Sequence, residues 1–211
     1  MTGRRLLVLD VDSTLIKQEV IELLAARAGS QEQVAAITER AMRGDIDFAA
    51  SLAERVATLK GLPTSVFHEV AAEVEFTPGA QELIGAAQAA GWTVALVSGG
   101  FEEIVTSIAR AVSVTLFVAN RLEVDQGHLT GRTVGPVIDR NGKAVALAAF
   151  AKGAGIPMTD TVAIGDGAND LGMMAAAGLS VAFAAKPVVR AAADIAIDGP
   201  PLDAAWPLIS R

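Results

Sequence analysis

The sequence contains no cysteine and no tyrosine, and its only histidines are His68 and His128. Thiol chemistry and multi-histidine metal centres are thereby excluded, and any nucleophile must be an aspartate, glutamate, serine, threonine, lysine or metal-bound water. Basic charge is also scarce: 17 lysines and arginines against 24 acidic side chains give a net charge of -7, without a basic stripe. That balance argues against nucleic acid or an anionic membrane surface as partner and for a small-molecule ligand. Long apolar runs are missing too. Thr2-Gly3-Arg4-Arg5 is followed by a run ending at Leu9, too short for a signal sequence or a membrane span, so a cytoplasmic protein is expected. His68 and His128 lie outside every motif below and receive no role.

What is present is a chain of 211 residues, 52 % apolar, enough for one large core with room for an insertion. Leu6 to Leu9, Trp92 to Val97 and Thr161 to Ile164 are continuous apolar runs that read as strands buried on both faces, with weaker copies at Leu179 to Phe183 and Ile195 to Ile197. Helical patterns at Ala80 to Ala90, Glu102 to Val112 and Lys143 to Ala154 alternate with them. The alternation predicts an α/β fold, a Rossmann-like, doubly wound, mostly parallel sheet with helices on both faces.

Residues 16–75 break the rhythm with four helical patterns, at Glu19 to Ala28, Gln31 to Met42, Asp47 to Leu59 and Thr64 to Glu73, and no strand. They read as an inserted helical cap, turned at Gly29-Ser30, Gly44-Asp45 and Gly61-Leu62-Pro63, between core segments 1–15 and 76–211. A small β-hairpin is expected at about 119–135, around Asp125-Gln126-Gly127.

Open parallel sheets bind ligands at the carboxyl ends of their strands, and here those ends carry Asp10, Ser98 and Gly165-Asp166. If strand geometry continues past Asp10, Asp12 faces the same side about 7 Å away. Asp166 and Asp170 add two further carboxylates. Four acids in one cleft need a compensating cation, and oxygen ligands beside a phosphate site favour Mg²⁺. Ser98, the Gly99 and Gly100 amides, Asn169 and Lys143 at a helix start are candidate donors to a phosphoryl group. In such a site Asp10 can attack phosphorus while Asp12 serves as general acid and then base. Taken singly each signal is ordinary: aspartate ends many strands, Lys143 reads as a solvated helix start, and Asn169 or Asp170 as a cap. Gly165-x-Gly167 is not a dinucleotide loop, because Asp170 stands where that fingerprint has its third glycine.

The ordered set Asp10-Val11-Asp12-Ser13-Thr14, Ser98-Gly99-Gly100, Lys143 and Gly165-Asp166-Gly167-Ala168-Asn169-Asp170 resembles the four motifs of the haloacid dehalogenase-like superfamily. Glu19, Met42, Asp47-Phe48, Ser51-Leu52, Arg55-Val56, Phe101, Ala119-Asn120-Arg121-Leu122 and Ala185-Lys186-Pro187 are similar to its members that dephosphorylate O-phospho-L-serine. The resemblance spans roughly Leu6 to Asp198. It implies Mg²⁺ held by Asp10, Asp166 and the backbone carbonyl of Asp12, with Asp170 behind the metal's waters. It also implies phosphate held by Ser98, Gly99, Gly100, Lys143 and Asn169, the substrate ammonium by Glu19 and its carboxylate by Arg55, with Met42 and Phe48 closing over it. A cap offering one acid and one forked base matches an amino-acid ester.

Two features depart from the superfamily's usual pattern: Val112 to Leu116 lacks a glycine before its strand, and Ala144-Val145 follows Lys143 where an acid is common. With five residues before the first strand, no regulatory amino-acid-binding domain is expected at that end. The expected activity is hydrolysis of phosphoserine to serine and phosphate by a monomer or homodimer. The alternatives are a phosphatase or phosphotransferase for phosphohomoserine, phosphothreonine or another small ester, and a non-catalytic amino-acid-sensing module, against which the intact Asp10 and Asp12 speak. Phosphorylating ATPase pumps share the nucleophile but carry threonine where this chain has Asp12, and need membrane spans.

Overall fold

The computed structural model describes residues 5–43 and 45–210, without the side chain of Met42. The predicted closing role of Met42 and the turn role of Gly44 lie outside the described residues.

Among the described residues, seven strands form one sheet in the order β4-β3-β2-β1-β5-β6-β7. β1 (Leu6–Asp10) lies at the centre, parallel to β2 (Thr93–Phe101) on one side and β5 (Thr161–Gly165) on the other. β3 (Leu116–Asp125) continues in parallel from β2, and β6 (Leu179–Phe183) and β7 (Ile195–Ile197) continue from β5. The antiparallel member is β4 (His128–Val134), which returns from β3 through the predicted Gln126-Gly127 turn as the expected hairpin. The order reverses at β1, so the crevice at its carboxyl end is the topological switch point where ligands bind in such sheets.

β1 shows why its run is continuously apolar. Leu7 and Leu9 belong to one buried cluster and Leu6 and Val8 to another, so alternate side chains enter two separate layers of helix packing. The first layer receives α5 (Ala80–Ala89) and α6 (Glu102–Ala111) and the second receives α7 (Arg140–Ala154) and α8 (Leu171–Ala176), which is the doubly wound arrangement expected.

Between the core segments run α1 (Val20–Ala28), α2 (Gln31–Met42), α3 (Phe48–Ala57) and α4 (Val66–Glu73), close to the four predicted helices. Asp47 caps α3 by accepting the Ala50 N–H at 2.8 Å. The two connections to the core run side by side: Lys17 N–H donates to Glu75 O and Thr77 N–H to Leu15 O, each at 3.0 Å. Leu24, Leu52, Val56, Leu59 and Val70 join the same cluster as Leu7, Leu9 and Leu96, so the insertion shares the first layer's hydrophobic core.

Three details differ from expectation. β2 runs on through Ser98, Gly99 and Gly100, past the expected strand end at Val97; the backbone stays extended, and Phe101 pairs with Asn120 across an irregularity. α7 begins at Arg140, with Asp139 capping the Gly142 N–H at 2.8 Å, so Lys143 sits one turn inside the helix and is fully buried. Strand geometry does not persist past Asp10: Asp12 lies in a loop where Ser13 takes φ 57°. Where a glycine was missed before β3, Ser113 itself adopts the left-handed conformation, at φ 54°.

Candidate active site

The carboxyl ends of β1 and β5 bring the acids together. Asp10 is 3 % exposed and Asp170, at the start of α8, is completely buried. Lys143 reaches between them from α7, with Nζ 2.5 Å from Asp10 Oδ1 and 2.6 Å from Asp170 Oδ1. The second oxygen of Asp170 accepts the amides of Asp166 (3.2 Å) and Gly167 (3.0 Å), shaping the turn that presents Asp166. Gly165 has to be glycine, because a Cβ there would collide with the Asp170 carboxyl. Asp166 is steadied by the Thr14 hydroxyl, which donates to Oδ1 at 3.1 Å.

Three acids thus cluster around one ammonium, which contacts two of them, Asp10 and Asp170. Carboxylate oxygens of Asp10, Asp166 and Asp170 lie within 4.8 Å of one another. Burial, reinforced by the charges of Asp170 and Asp166, pushes the Asp10 carboxyl well above the usual range even though Lys143 opposes the shift. Burial first, then Asp170 and Glu19, raises Asp166 to about 6. Burial alone would lower Lys143, but Asp10 and Asp170 hold it above the ordinary lysine value, so it stays charged. A buried excess of carboxylate over cation is the electrostatic signature of a hard-metal site, and the donor set fits one. With both Asp170 oxygens engaged, Asp10 and Asp166 are the acids best able to bind directly.

Asp12 is held differently. Its Oδ1 accepts the Val20 N–H at 3.0 Å and its Oδ2 the Ser98 hydroxyl at 3.1 Å. Burial first, then the negative charge of Glu19, raises this carboxyl to about 7 against those hydrogen bonds. A group poised there can both give and take a proton near neutrality. Ser98 Oγ in turn accepts the Gly100 N–H at 2.8 Å, so to hold a phosphoryl oxygen Ser98 and Gly100 would have to exchange these partners. A Cβ on Gly100 would sit 2.5 Å from Asp12 Oδ2, which fixes glycine at that position. Asn120 secures the loop from behind, donating to Gly99 O and accepting the Ile138 N–H, both at 2.8 Å.

The insertion closes the other side. Asp10, Asp12, Glu19, Arg55, Gly99 and Asn169 line one cavity with about 60 Å³ open to the centre of a water molecule. Glu19 accepts the Ser13 hydroxyl at 2.6 Å, and Arg55 Nε donates to Ser51 O in its own helix at 3.2 Å. Burial lowers the Arg55 pKa from the usual arginine value, while Glu19, Asp12 and Glu22 pull the other way. Phe48 reaches across to the core: a Cβ on Gly99 would be 3.3 Å from its ring.

Every predicted site residue whose side chain is described therefore lies in or beside this cavity, Lys143 and Asp170 forming its buried floor. Sequence reasoning missed the supports, Thr14, Ser13 and Asn120, and the apolar wall of Ile21, Leu52 and Phe101. All but Ile21 stand inside quoted motifs, but the contacts of Thr14 with Asp166 and of Asn120 with Gly99 and Ile138 join distant segments and leave no local pattern, and only the Ser13 contact with Glu19 is local.

A profile of haloacid dehalogenase-like hydrolases matches residues 7–175. The chain is similar to phosphoserine phosphatase SerB2 of Mycobacterium tuberculosis, 54 % identical over 200 residues, covering 95 % of this chain and 49 % of that protein. It is similar also to the phosphoserine phosphatase of Lactococcus lactis, 50 % identical over 198 residues, covering 94 % and 92 %. The chain thus spans about half the length of the mycobacterial relative and nearly all of the lactococcal one. Among solved structures it resembles a phospho-aspartyl intermediate analogue of phosphoserine phosphatase, with TM-score 0.92, 41 % identity and coverage of 98 % and 99 %. A substrate-bound phosphoserine phosphatase complex gives TM-score 0.93 and 40 % identity, with 99 % of each chain covered.

Proposed function

Because the chain belongs to the haloacid dehalogenase-like hydrolase family, we propose that it hydrolyses O-phospho-L-serine to L-serine and phosphate through an aspartyl-phosphate on Asp10. One observation carries the reading. The buried Asp10–Lys143 pair opens into the same cavity as Asp12, Glu19 and Arg55, joining a phosphoryl-transfer centre to one acid and one guanidinium for an amino acid's two charges. The relatives named above support it. Residues 16–75 act as the cap and residues 1–15 with 76–211 as the core, in a cytoplasmic enzyme. No described helix is long and apolar enough to cross a membrane.

Gly99, Gly100, Ser98, Asn169 and Lys143 hold the phosphoryl oxygens, Glu19 the ammonium and Arg55 the carboxylate, with Phe48 as the lid. Asp10 attacks phosphorus. Asp12, protonated at its raised pKa of about 7, gives that proton to the leaving serine oxygen. As a carboxylate, Asp12 then takes a proton from the water that cleaves the aspartyl-phosphate, which restores both acids. Mg²⁺ held by Asp10, Asp166 and the Asp12 carbonyl, its waters supported by Asp170, would offset the charge of the carboxylates and the phosphoryl group.

The test is kcat/KM on phosphoserine, phosphothreonine, phosphohomoserine and para-nitrophenyl phosphate. Phosphoserine should lead, and a tenfold preference for another ester would sink the assignment.

A further inference from the structure

The polar lining of the cavity accounts for the substrate's charged ends and says nothing about the carbons between them. The same cavity has an apolar wall, of which the proposed mechanism uses only Phe48, as lid. Ile21 on α1 and Leu52 on α3, 7 % and 2 % exposed, line the cavity together with Phe101, which is completely buried at the end of β2. All three belong to the main hydrophobic cluster alongside Leu24, Val56 and Leu96, so the wall is the surface of the packed core. Phe48 completes it from the insertion, its ring against Gly99.

Two physical consequences follow. A wall without polar atoms gives no partner to a hydroxyl or charge on the middle of the substrate, which suits a bare methylene. A wall made of packed core does not yield to an added carbon, because interiors are close-packed and resist expansion by even one methyl group.

Resting on the reading of this site as one for phosphoserine, we propose that Ile21, Leu52 and Phe48 are specificity-determining residues that exclude esters branched at the carbon bearing the phosphate. Phosphoserine is accepted because its ester carbon is a methylene; phosphothreonine is rejected because its extra methyl meets this wall. One carbon in an apolar pocket is worth about 10–200-fold in kcat/KM.

The test measures kcat/KM for phosphoserine, phosphothreonine and para-nitrophenyl phosphate in the wild type and in Ile21→Val, Leu52→Val and Phe48→Leu. The first two remove a single methylene, and Phe48→Leu changes a half-buried side chain outside the tightest packing, so a folding defect in one variant leaves another to decide. At least one variant should raise the phosphothreonine-to-phosphoserine ratio about tenfold, chiefly by gaining on phosphothreonine. Ratios within twofold of wild type in every variant that melts normally, with the wild-type preference for phosphoserine intact, would overturn the wall and leave the phosphoserine reading standing. A wild type that cleaves para-nitrophenyl phosphate and shows no preference for phosphoserine would overturn both. Parallel loss on all three esters counts against the wall as well, since that is the mark of a damaged core.

Discussion

On the core side of the cavity, each reactive group is tied from several directions: Lys143 to two carboxylates, Asp170 to Lys143 and two amides, Asp12 to an amide and a hydroxyl. On the insertion side the ties are fewer: Arg55 is held by one carbonyl of its own helix and Glu19 by one hydroxyl. Atoms that must meet phosphorus in line tolerate little displacement, whereas a guanidinium closing on a carboxylate can settle after the substrate arrives. Under the proposed function the contrast would give chemistry to the core and selectivity to the insertion, and substitutions on the two sides should then fail in different ways.

The largest effect should come from Asp10→Asn, which keeps shape and removes the nucleophile. Phosphate release from phosphoserine and para-nitrophenyl phosphate should fall together by at least about 10⁴-fold, as removal of a nucleophile does, with no phosphate trapped on the protein and a normal melting curve. Turnover that persists on either ester would end the assignment of Asp10.

Arg55→Ala should split the substrates that Asp10→Asn treats alike. Loss of a charge-assisted bond to the carboxylate should lower kcat/KM on phosphoserine by about 100-fold, and para-nitrophenyl phosphate, which has no carboxylate, by less than about fivefold. Equal losses on both would move Arg55 to the core's side of the comparison.

A smaller effect is expected from Thr14→Val, a core substitution that touches no substrate. The hydroxyl orients Asp166 at 3.1 Å, and removing such a support weakens metal binding by about 10–100-fold. Titration of the melting temperature with Mg²⁺ should show the midpoint moving upward by at least tenfold, with both esters affected alike. A loss confined to phosphoserine would contradict a metal-positioning role.

How far the sequence reveals these roles depends on what makes the contact. The strand ends, the insertion and the aspartates of the site are legible because periodicity and turn chemistry are local. The depth of Lys143 is not, since Arg140 and Asn141 give the first turn of α7 no apolar signal and the cap comes from Asp139. Ser98 Oγ facing Asp12 is settled by pairing across the sheet. The extension of β2 through two glycines depends on Asn120, a β3 residue, bonding Gly99 O at 2.8 Å.

The least disruptive change probes the join between the two sides. The β4 hairpin grips the segment after α3 through Gly61 N–H to Leu129 O (2.8 Å), Leu129 N–H to Leu62 O (2.8 Å) and Thr64 N–H to Gly127 O (2.9 Å). Gly131 lets the hairpin approach the end of α3: its φ is 85°, and a Cβ there would lie 3.1 Å from Lys60 Cβ and 3.3 Å from the Ala57 backbone. Gly131→Ala should therefore cost about 1–2 kcal/mol through the left-handed backbone and push the end of α3, two residues beyond Arg55, away from the core. The melting temperature should drop by roughly 2–8 °C for a domain of this size, and KM for phosphoserine should rise a fewfold with kcat unchanged. Para-nitrophenyl phosphate should report no change in either constant. A lower melting temperature with an unmoved phosphoserine KM would mean that the hairpin stabilises the fold without setting where Arg55 stands.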